Sequence, residues 1–264
     1  MGDLILPKWV SFTKRWHNSP YEAISIQRSN LSMAGKNVLV TGGGTGIGKA
    51  TAIAFAQARA KSITILGRRL DRLQTSKIAI EEAATQDTQV FYEIADLTIP
   101  EQVKKAFTNV VEKVGKIDVL VNNAGAICPS RSVAAAPIND LTKVLEANVL
   151  TTFNAIQAFL SHTGPKPVLI NVTACLVHIQ PMPPMGLYAA AKAAQTKIVD
   201  YIGKENPQMH VVHLHPGMVT TEIGGPNSEV EGQDEGMCQA SFGSFTALPQ
   251  FELPFLSEFD AGTR

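Results

Sequence analysis

The stretch "TGGGTGIGKA", Thr41 to Ala50, decides how this chain folds. It follows "NVLVTG", a short β-branched, apolar run that ends in glycines and reads as a buried strand. After it comes a predicted helix from Gly46 to about Ala58, with Ile47, Ala50 and Ala54 on one side. Glycines between strand and helix permit a tight turn. They also let an anion approach the helix N-terminus, where free amides and the dipole favour negative charge. A glycine cluster alone serves a plain turn equally well. Its place directly between strand and helix makes it a candidate binding element. The spacing Gly42–Gly46–Gly48 is not G-x-G-x-x-G, and no P-loop pair of lysine and hydroxyl follows.

Outward from this turn the same alternation repeats. "SITILG" reads as a second strand and Asp71 to Ala84 as a helix. "QVFYEIAD" is a third strand, followed by a helix from Pro100 to Val114 that the proline opens at its first turn. "DVLVNNAG" is the fourth strand, and one long helix is expected from Asn139 to Ser161. "PVLINVT", a helix from Gly186 to Gly203, and "HVVHLH" complete the series. Strands alternating with helices imply right-handed crossovers. The expected class is α/β: a single-domain, Rossmann-like, doubly wound parallel sheet. Residues 35–221 form that domain. Residues 1–34, which hold both tryptophans, read as an arm packed on its surface. Residues 222–264 show no convincing seventh strand and read as an irregular segment over the substrate side.

Composition narrows the function. The 264 residues are 45% hydrophobic and 17% charged, with 23 basic and 23 acidic side chains. Zero formal charge and no basic block argue against nucleic acid or an anionic membrane as partner. No apolar run approaches the roughly 20 residues needed to span a bilayer, and the N-terminus lacks a secretory pattern. Three scattered cysteines suggest no disulfide framework. A cytoplasmic protein acting on a small molecule is the expectation.

"LYAAAK", Leu187 to Lys192, places Tyr188 and Lys192 one helical turn apart on one face. A free tyrosine titrates near pH ~10 and is a poor proton shuttle at neutral pH. A neighbouring ammonium is expected to lower that pKa. On these two residues alone, an ordinary surface helix is the better reading.

Taken with the rest of the chain, they acquire a family resemblance. "TGGGTGIG" resembles the TGxxxGxG motif of the short-chain dehydrogenase/reductase family. "NNAG" (Asn122 to Gly125), Tyr188-x-x-x-Lys192 and "PGMVTT" (Pro216 to Thr221) occur in that family's order over roughly residues 36–221. The arm "FTKRWHNSPYEAIS" is similar to fungal members. The resemblance implies a nicotinamide cofactor held by Gly42, Thr45, Gly46, Ile47, Gly48, Asp96, Asn122, Val219 and Thr221, with Tyr188 and Lys192 reaching its ribose. Asp96 is equally readable as a plain turn residue. Where NAD-specific enzymes end the second strand with a carboxylate, this chain has Gly67, then Arg68 and Arg69. A guanidinium suits a 2′-phosphate, so NADP is expected, NADPH in preference to NADH, with Arg68 as its ligand. The plain alternative is that both arginines are solvated.

The resemblance assigns Tyr188 as proton donor and acceptor, Lys192 as its modulator and Asn148 as support for a relay water. The family's serine after strand five is absent. Thr173 carries the nearest hydroxyl, while counting back from Tyr188 gives Cys175, and both stay open. Losing one such donor costs ~10²–10³ in rate. The expected activity is NADP(H)-dependent interconversion of a carbonyl and a secondary alcohol on a small, largely apolar metabolite. The alternatives are a nucleotide-binding protein without redox turnover and, ranked lower, an enoyl-type reductase. His213 and His215, with His210 nearby, lack a third ligand, so no metal is expected. Family members usually add a further helix and a seventh strand that build oligomers. A homo-oligomer therefore stays open here.

Overall fold

A computed structural model of the chain describes residues 21–26, 28–84, 88–127, 129, 131–217, 219, 221 and 223. Among them, six parallel strands form one sheet: β1 (Asn37–Thr41), β2 (Ser62–Gly67), β3 (Gln89–Ile94), β4 (Ile117–Asn122), β5 (Thr163–Val172) and β6 (His210–Leu214). Their order across the sheet is β3-β2-β1-β4-β5-β6, so the winding reverses between β1 and β4. Ligands of such sheets bind beyond the strands' carboxyl ends at that reversal. The helices are α1 (Gly46–Gln57), α2 (Leu70–Ala83), α3 (Pro100–Val114), α4 (Ile138–Leu145), α5 (Thr151–Leu160) and α6 (Gly186–Glu205).

Alternation along the strands divides the core in two. Val38, Val40, Val119, Val121, Ile170 and Val172 pack on one face with Phe55 of α1 and Leu73 and Ile80 of α2. Leu39, Leu120 and Leu169 point to the other face, against Phe107 of α3, Phe159 of α5 and Val199 of α6. A side-chain period of two makes this split unavoidable once helices cover both faces. α3 shows the matching helical pattern. Pro100 opens it, Val103, Ala106, Phe107 and Val110 are buried, and Gly115 closes it at φ +87°.

The one long helix expected over 139–161 is instead two α-helices joined by a π-helical turn, Glu146–Leu150. Asn148 sits in that turn and is fully buried. Asp96 also departs from expectation, because β3 ends at Ile94 and the aspartate lies in the following turn. At the other end of the domain, Leu31 and Met33 are buried, and the Met33 amide donates to the Ala58 carbonyl at 2.7 Å. The rest of the expected arm over 1–20 lies outside the described residues. So does the C-terminal segment beyond 223, including the question of a seventh strand. No described helix is long and apolar enough to cross a membrane.

Candidate active site

β1 delivers the glycine turn to the point where the winding reverses. Gly42 has φ +66°, and a Cβ there would sit 3.0 Å from Asn123 Nδ2 and 3.1 Å from Ala124 Cα. The close approach of the β1 and β4 ends therefore needs glycine twice over, for its angle and for its lack of a side chain. Gly48 lies one turn into α1, where a Cβ would run into the Gly42 carbonyl. Thr45 precedes α1 without capping it through its hydroxyl, leaving first-turn amides available to an anion. Thr221 reaches this N-terminus from beyond β6, its methyl group 3.1 Å from where a Gly46 Cβ would be.

A cleft of about 680 Å³ opens over the turn. Of the residues expected to hold a dinucleotide, Gly42, Thr45, Gly46, Ile47, Arg68, Asp96 and Thr221 line it. Gly48 lies beneath the turn, and Val219 is described but does not line the cleft. Arg69 and Arg72 join Arg68 on its wall, and Gly67 adds no carboxylate. Arg72 was not singled out from the sequence. Its position is the helical one that follows Arg68 and Arg69 into α2, a signal that spacing carried. Arg68 Nη1 lies 3.8 Å from Asp96 Oδ2 across the cleft. Asp96 accepts from the Thr98 amide at 2.9 Å and its hydroxyl at 2.7 Å. Those hydrogen bonds hold its carboxyl below the usual range, with partial burial opposing them and Arg68 adding a smaller pull. It is thus a turn residue and an acidic wall of the cleft together.

The second group gathers at the carboxyl ends of β4 and β5. Tyr188 and Lys192 lie in the first two turns of α6, whose start is pinned where Gly186 packs on Val133. Lys192 is 3% exposed, donates to the Val172 carbonyl at 3.0 Å, and its Nζ lies 5.9 Å from the Tyr188 ring centre. The Asn148 amide donates to the carbonyls of Ala126 at 2.8 Å and Val144 at 2.9 Å. Its Oδ1 is buried and has no hydrogen-bond partner. A Cβ on Gly125 would lie 2.6 Å from that oxygen and 3.5 Å from Lys192 Nζ. The two groups therefore flank one glycine of the cleft wall. An unsatisfied buried acceptor beside an ammonium is a place for a water or a ligand hydroxyl.

The electrostatics reverse one expectation. Burial, with a smaller push from the nearby Cys175 thiol, brings the Tyr188 phenol up to about 12. Burial alone brings Lys192 down to about 8. Lys192 is turned to a carbonyl, and desolvation of the phenol outweighs any pull from the amine. Lys192 does not make Tyr188 more acidic.

The structure also separates the two serine substitutes. The Thr173 hydroxyl is buried and paired with that of Thr196 at 2.8 Å. Cys175 opens a short 3-10 helix, Cys175–Val177, and is partly exposed. Its thiol is close enough to Tyr188 to act on the phenol's titration.

Asn122 takes an unexpected part. It is 1% exposed, outside the cleft, and its Nδ2 donates to Thr152 Oγ1 at 2.9 Å and Asn171 Oδ1 at 2.8 Å. Thr152, Asn171 and Gln195 were not anticipated as site residues. Polar side chains in otherwise apolar strand and helix positions were the signal available.

Comparisons with known proteins match most of this chain. A family model described as short chain dehydrogenase matches residues 36–232. A short chain dehydrogenase/reductase of Claviceps purpurea is 29% identical over 217 residues, 81% of this chain and 72% of that protein. Short chain dehydrogenase pigC of Monascus ruber is 31% identical over 223 residues, with the same shares covered. Among solved structures, a short chain dehydrogenase of Burkholderia cenocepacia in complex with NADP has TM-score 0.72 and 28% identity, covering 83% of this chain and 92% of that one. An alcohol dehydrogenase of Thermococcus sibiricus complexed with 5-hydroxy-NADP has TM-score 0.73 and 25% identity, covering 82% and 91%.

Proposed function

Because the chain belongs to the short-chain dehydrogenase family, we propose that it is an NADP(H)-dependent oxidoreductase interconverting a carbonyl and a secondary alcohol. The observation that carries this is the meeting of Tyr188, Lys192 and Asn148 around Gly125, beside a cleft floored by the glycine turn. Gly42, Thr45, Gly46, Ile47 and Thr221 hold the dinucleotide phosphates and nicotinamide end, with Val219 beside them. Arg68, Arg69 and Arg72 receive the 2′-phosphate. No carboxylate at Gly67 repels it, and two solved relatives carry NADP or an NADP derivative.

The nicotinamide, when bound, supplies or takes up the hydride. Tyr188 gives its proton to the carbonyl oxygen in reduction and takes it back in oxidation. Burial keeps the phenol in its protonated form, which is the form that reduction uses. Lys192 and the unpartnered Asn148 oxygen hold the water or ribose hydroxyl through which Tyr188 is reprotonated. Cys175 stands in for the family's serine with a weak donor. The exposed Met182 and partly buried Met185 before α6 support a small, largely apolar substrate. Exposed Leu150 and Phe153 support a homo-oligomer, to be read by light scattering.

The test is NADPH oxidation over a panel of apolar ketones and aldehydes, with wild type and Tyr188→Phe. Turnover in the first and its loss in the second, with nucleotide binding intact, is expected. Undiminished turnover in Tyr188→Phe removes the phenol from the mechanism. A second reading, nucleotide binding without turnover, is favoured by the Thr173 hydroxyl's engagement with Thr196. NADPH binding with no substrate turned over across the panel selects it.

A further inference from the structure

Three polar side chains stand side by side across the sheet where apolar ones would be ordinary. Asn122 pairs in register with Asn171, and Asn171 with His213, crossing β4, β5 and β6. Asn122 and Asn171 are 1% and 0% exposed. Each lies two residues beyond Leu120 or Leu169, so the row faces the α3, α5 and α6 side of the sheet. An unsatisfied polar group there costs about 1–3 kcal/mol, so a row that persists must be internally complete.

Its three side chains are satisfied in one direction only, while Gln195 Oε1 at the Thr152 end has no partner among the described residues. The Asp200 carboxylate accepts from His213 Nε2 at 3.1 Å. Nε2 therefore carries the hydrogen, and Nδ1 is left as the acceptor for Asn171 Nδ2 at 3.2 Å. With its nitrogen committed to His213, Asn171 turns Oδ1 to Asn122 Nδ2 at 2.8 Å. Asn122 Nδ2 also donates to Thr152 Oγ1 at 2.9 Å, and Gln195 Nε2 donates to the same oxygen at 2.7 Å. Both acceptor sites of that hydroxyl are filled, so its own hydrogen goes to the Asn148 carbonyl at 2.7 Å. A flip of Asn171 would set donor against donor at Asn122 and acceptor against acceptor at His213.

The far end of the row is the π-helical turn. Such a turn loosens the carbonyl ladder of a helix. The Thr152 hydroxyl, four residues on, fixes the Asn148 carbonyl there, and with it the backbone from which Oδ1 reaches toward Lys192. The near end is at the surface, where Asp200 is partly exposed and also held by Lys197 at 3.1 Å.

We propose that His213 is a positioning residue for the catalytic end: with Asp200 it sets the direction of this hydrogen-bond row and so holds Asn148 beside Lys192. The inference rests on the reading of Tyr188, Lys192 and Asn148 as the catalytic group. The experiment uses the full chain with NADPH, and compares wild type, His213→Leu, His213→Gln and Asp200→Ala. The side-chain amide signals of Asn148 are followed by NMR on asparagine-labelled protein, and kcat and KM are measured on a substrate from the carbonyl panel. In His213→Leu the Asn148 signals shift and kcat falls about fivefold, the loss of one hydrogen bond, while the KM for NADPH holds. Glutamine can accept from Asn171 and donate to Asp200, so His213→Gln restores both. Asp200→Ala, a change at the partly exposed end, moves the Asn148 signals in the same sense and serves if His213→Leu does not fold. Asn148 signals that stay put in His213→Leu, or in Asp200→Ala where it serves instead, overturn the proposal. So does a His213→Gln variant as impaired as His213→Leu. If wild type turns over no carbonyl, the functional reading falls and the Asn148 signals alone decide this one.

Discussion

Lys192 and Tyr188 share one face of α6, yet the ammonium donates to the Val172 carbonyl and the phenol is protonated to about pH 12. Their closeness is 5.9 Å from nitrogen to ring centre, and burial sets the titration of both. This arrangement has a measurable effect on stability. The folded Lys192 pKa of about 8 lies below the ordinary lysine value of 10.5, so between those values the unfolded chain binds more protons. Stability due to Lys192 therefore rises with pH from about 8 toward 10.5. For Tyr188 the sign is opposite: the ordinary tyrosine value is 10.0, and its contribution is lost as pH climbs from there to about 12. Melting temperatures of wild type and Lys192→Met should converge between pH 8 and 10 if wild type starts lower. A constant difference across that window would rule out the buried ammonium.

Cys175→Ser should make a faster enzyme. It places a hydroxyl beside Tyr188 without a change of shape, and one oxyanion-type donor contributes up to ~10²-fold. Thr173→Val should leave kcat within about twofold and cost ~1 kcal/mol of stability, because it removes a hydroxyl already paired with Thr196. Steady-state kinetics with one carbonyl substrate separates the two. A collapse of kcat in the threonine variant would return the donor role to Thr173.

Gly67→Asp should move cofactor preference toward NADH. A Cβ at Gly67 meets Leu73 Cδ2 at 3.5 Å, ordinary contact, so the variant should fold. The new carboxylate would oppose a 2′-phosphate and accept from ribose hydroxyls, with NADPH affinity falling about tenfold or more. Fluorescence titration with both nucleotides reads this directly. Equal weakening of both would mean that the arginine wall does not face the 2′ position.

Gly48→Ala should abolish nucleotide binding. Its methyl group would collide with the Gly42 carbonyl, which is backbone and cannot rotate aside. Overpacking of this kind costs about 1–3 kcal/mol. A variant that still binds NADPH normally would show the turn to be softer than its geometry implies.

Much of this was legible because periodicity and punctuation are local. α3 begins at Pro100 and ends at Val114 as expected, and β1, β2 and β4 fall where their β-branched runs lie. Residues decided by distant packing were harder. Nothing in "EANVL" distinguishes a π-helical turn from an α-helix, since both bury the same apolar neighbours. The Tyr188 pKa turned the other way because burial comes from the cluster of Leu141, Val144 and Leu145, remote in sequence. The Asn122–Asn171–His213 row depends on strand register, which three separate strands do not announce. Thr173 and Cys175 are two residues apart, and only the path of the chain after β5 tells their surroundings apart.

The wide turn at Glu146–Leu150 lets one continuous rod serve two masters. An added residue per turn rotates everything downstream by about 100° relative to an unbroken α-helix. Ile156 and Phe159 thereby keep their seats against the sheet while Asn148 looks toward Gly125. Deleting a single residue there would straighten the rod and force a choice: keep the hydrophobic footing, or keep the chemistry.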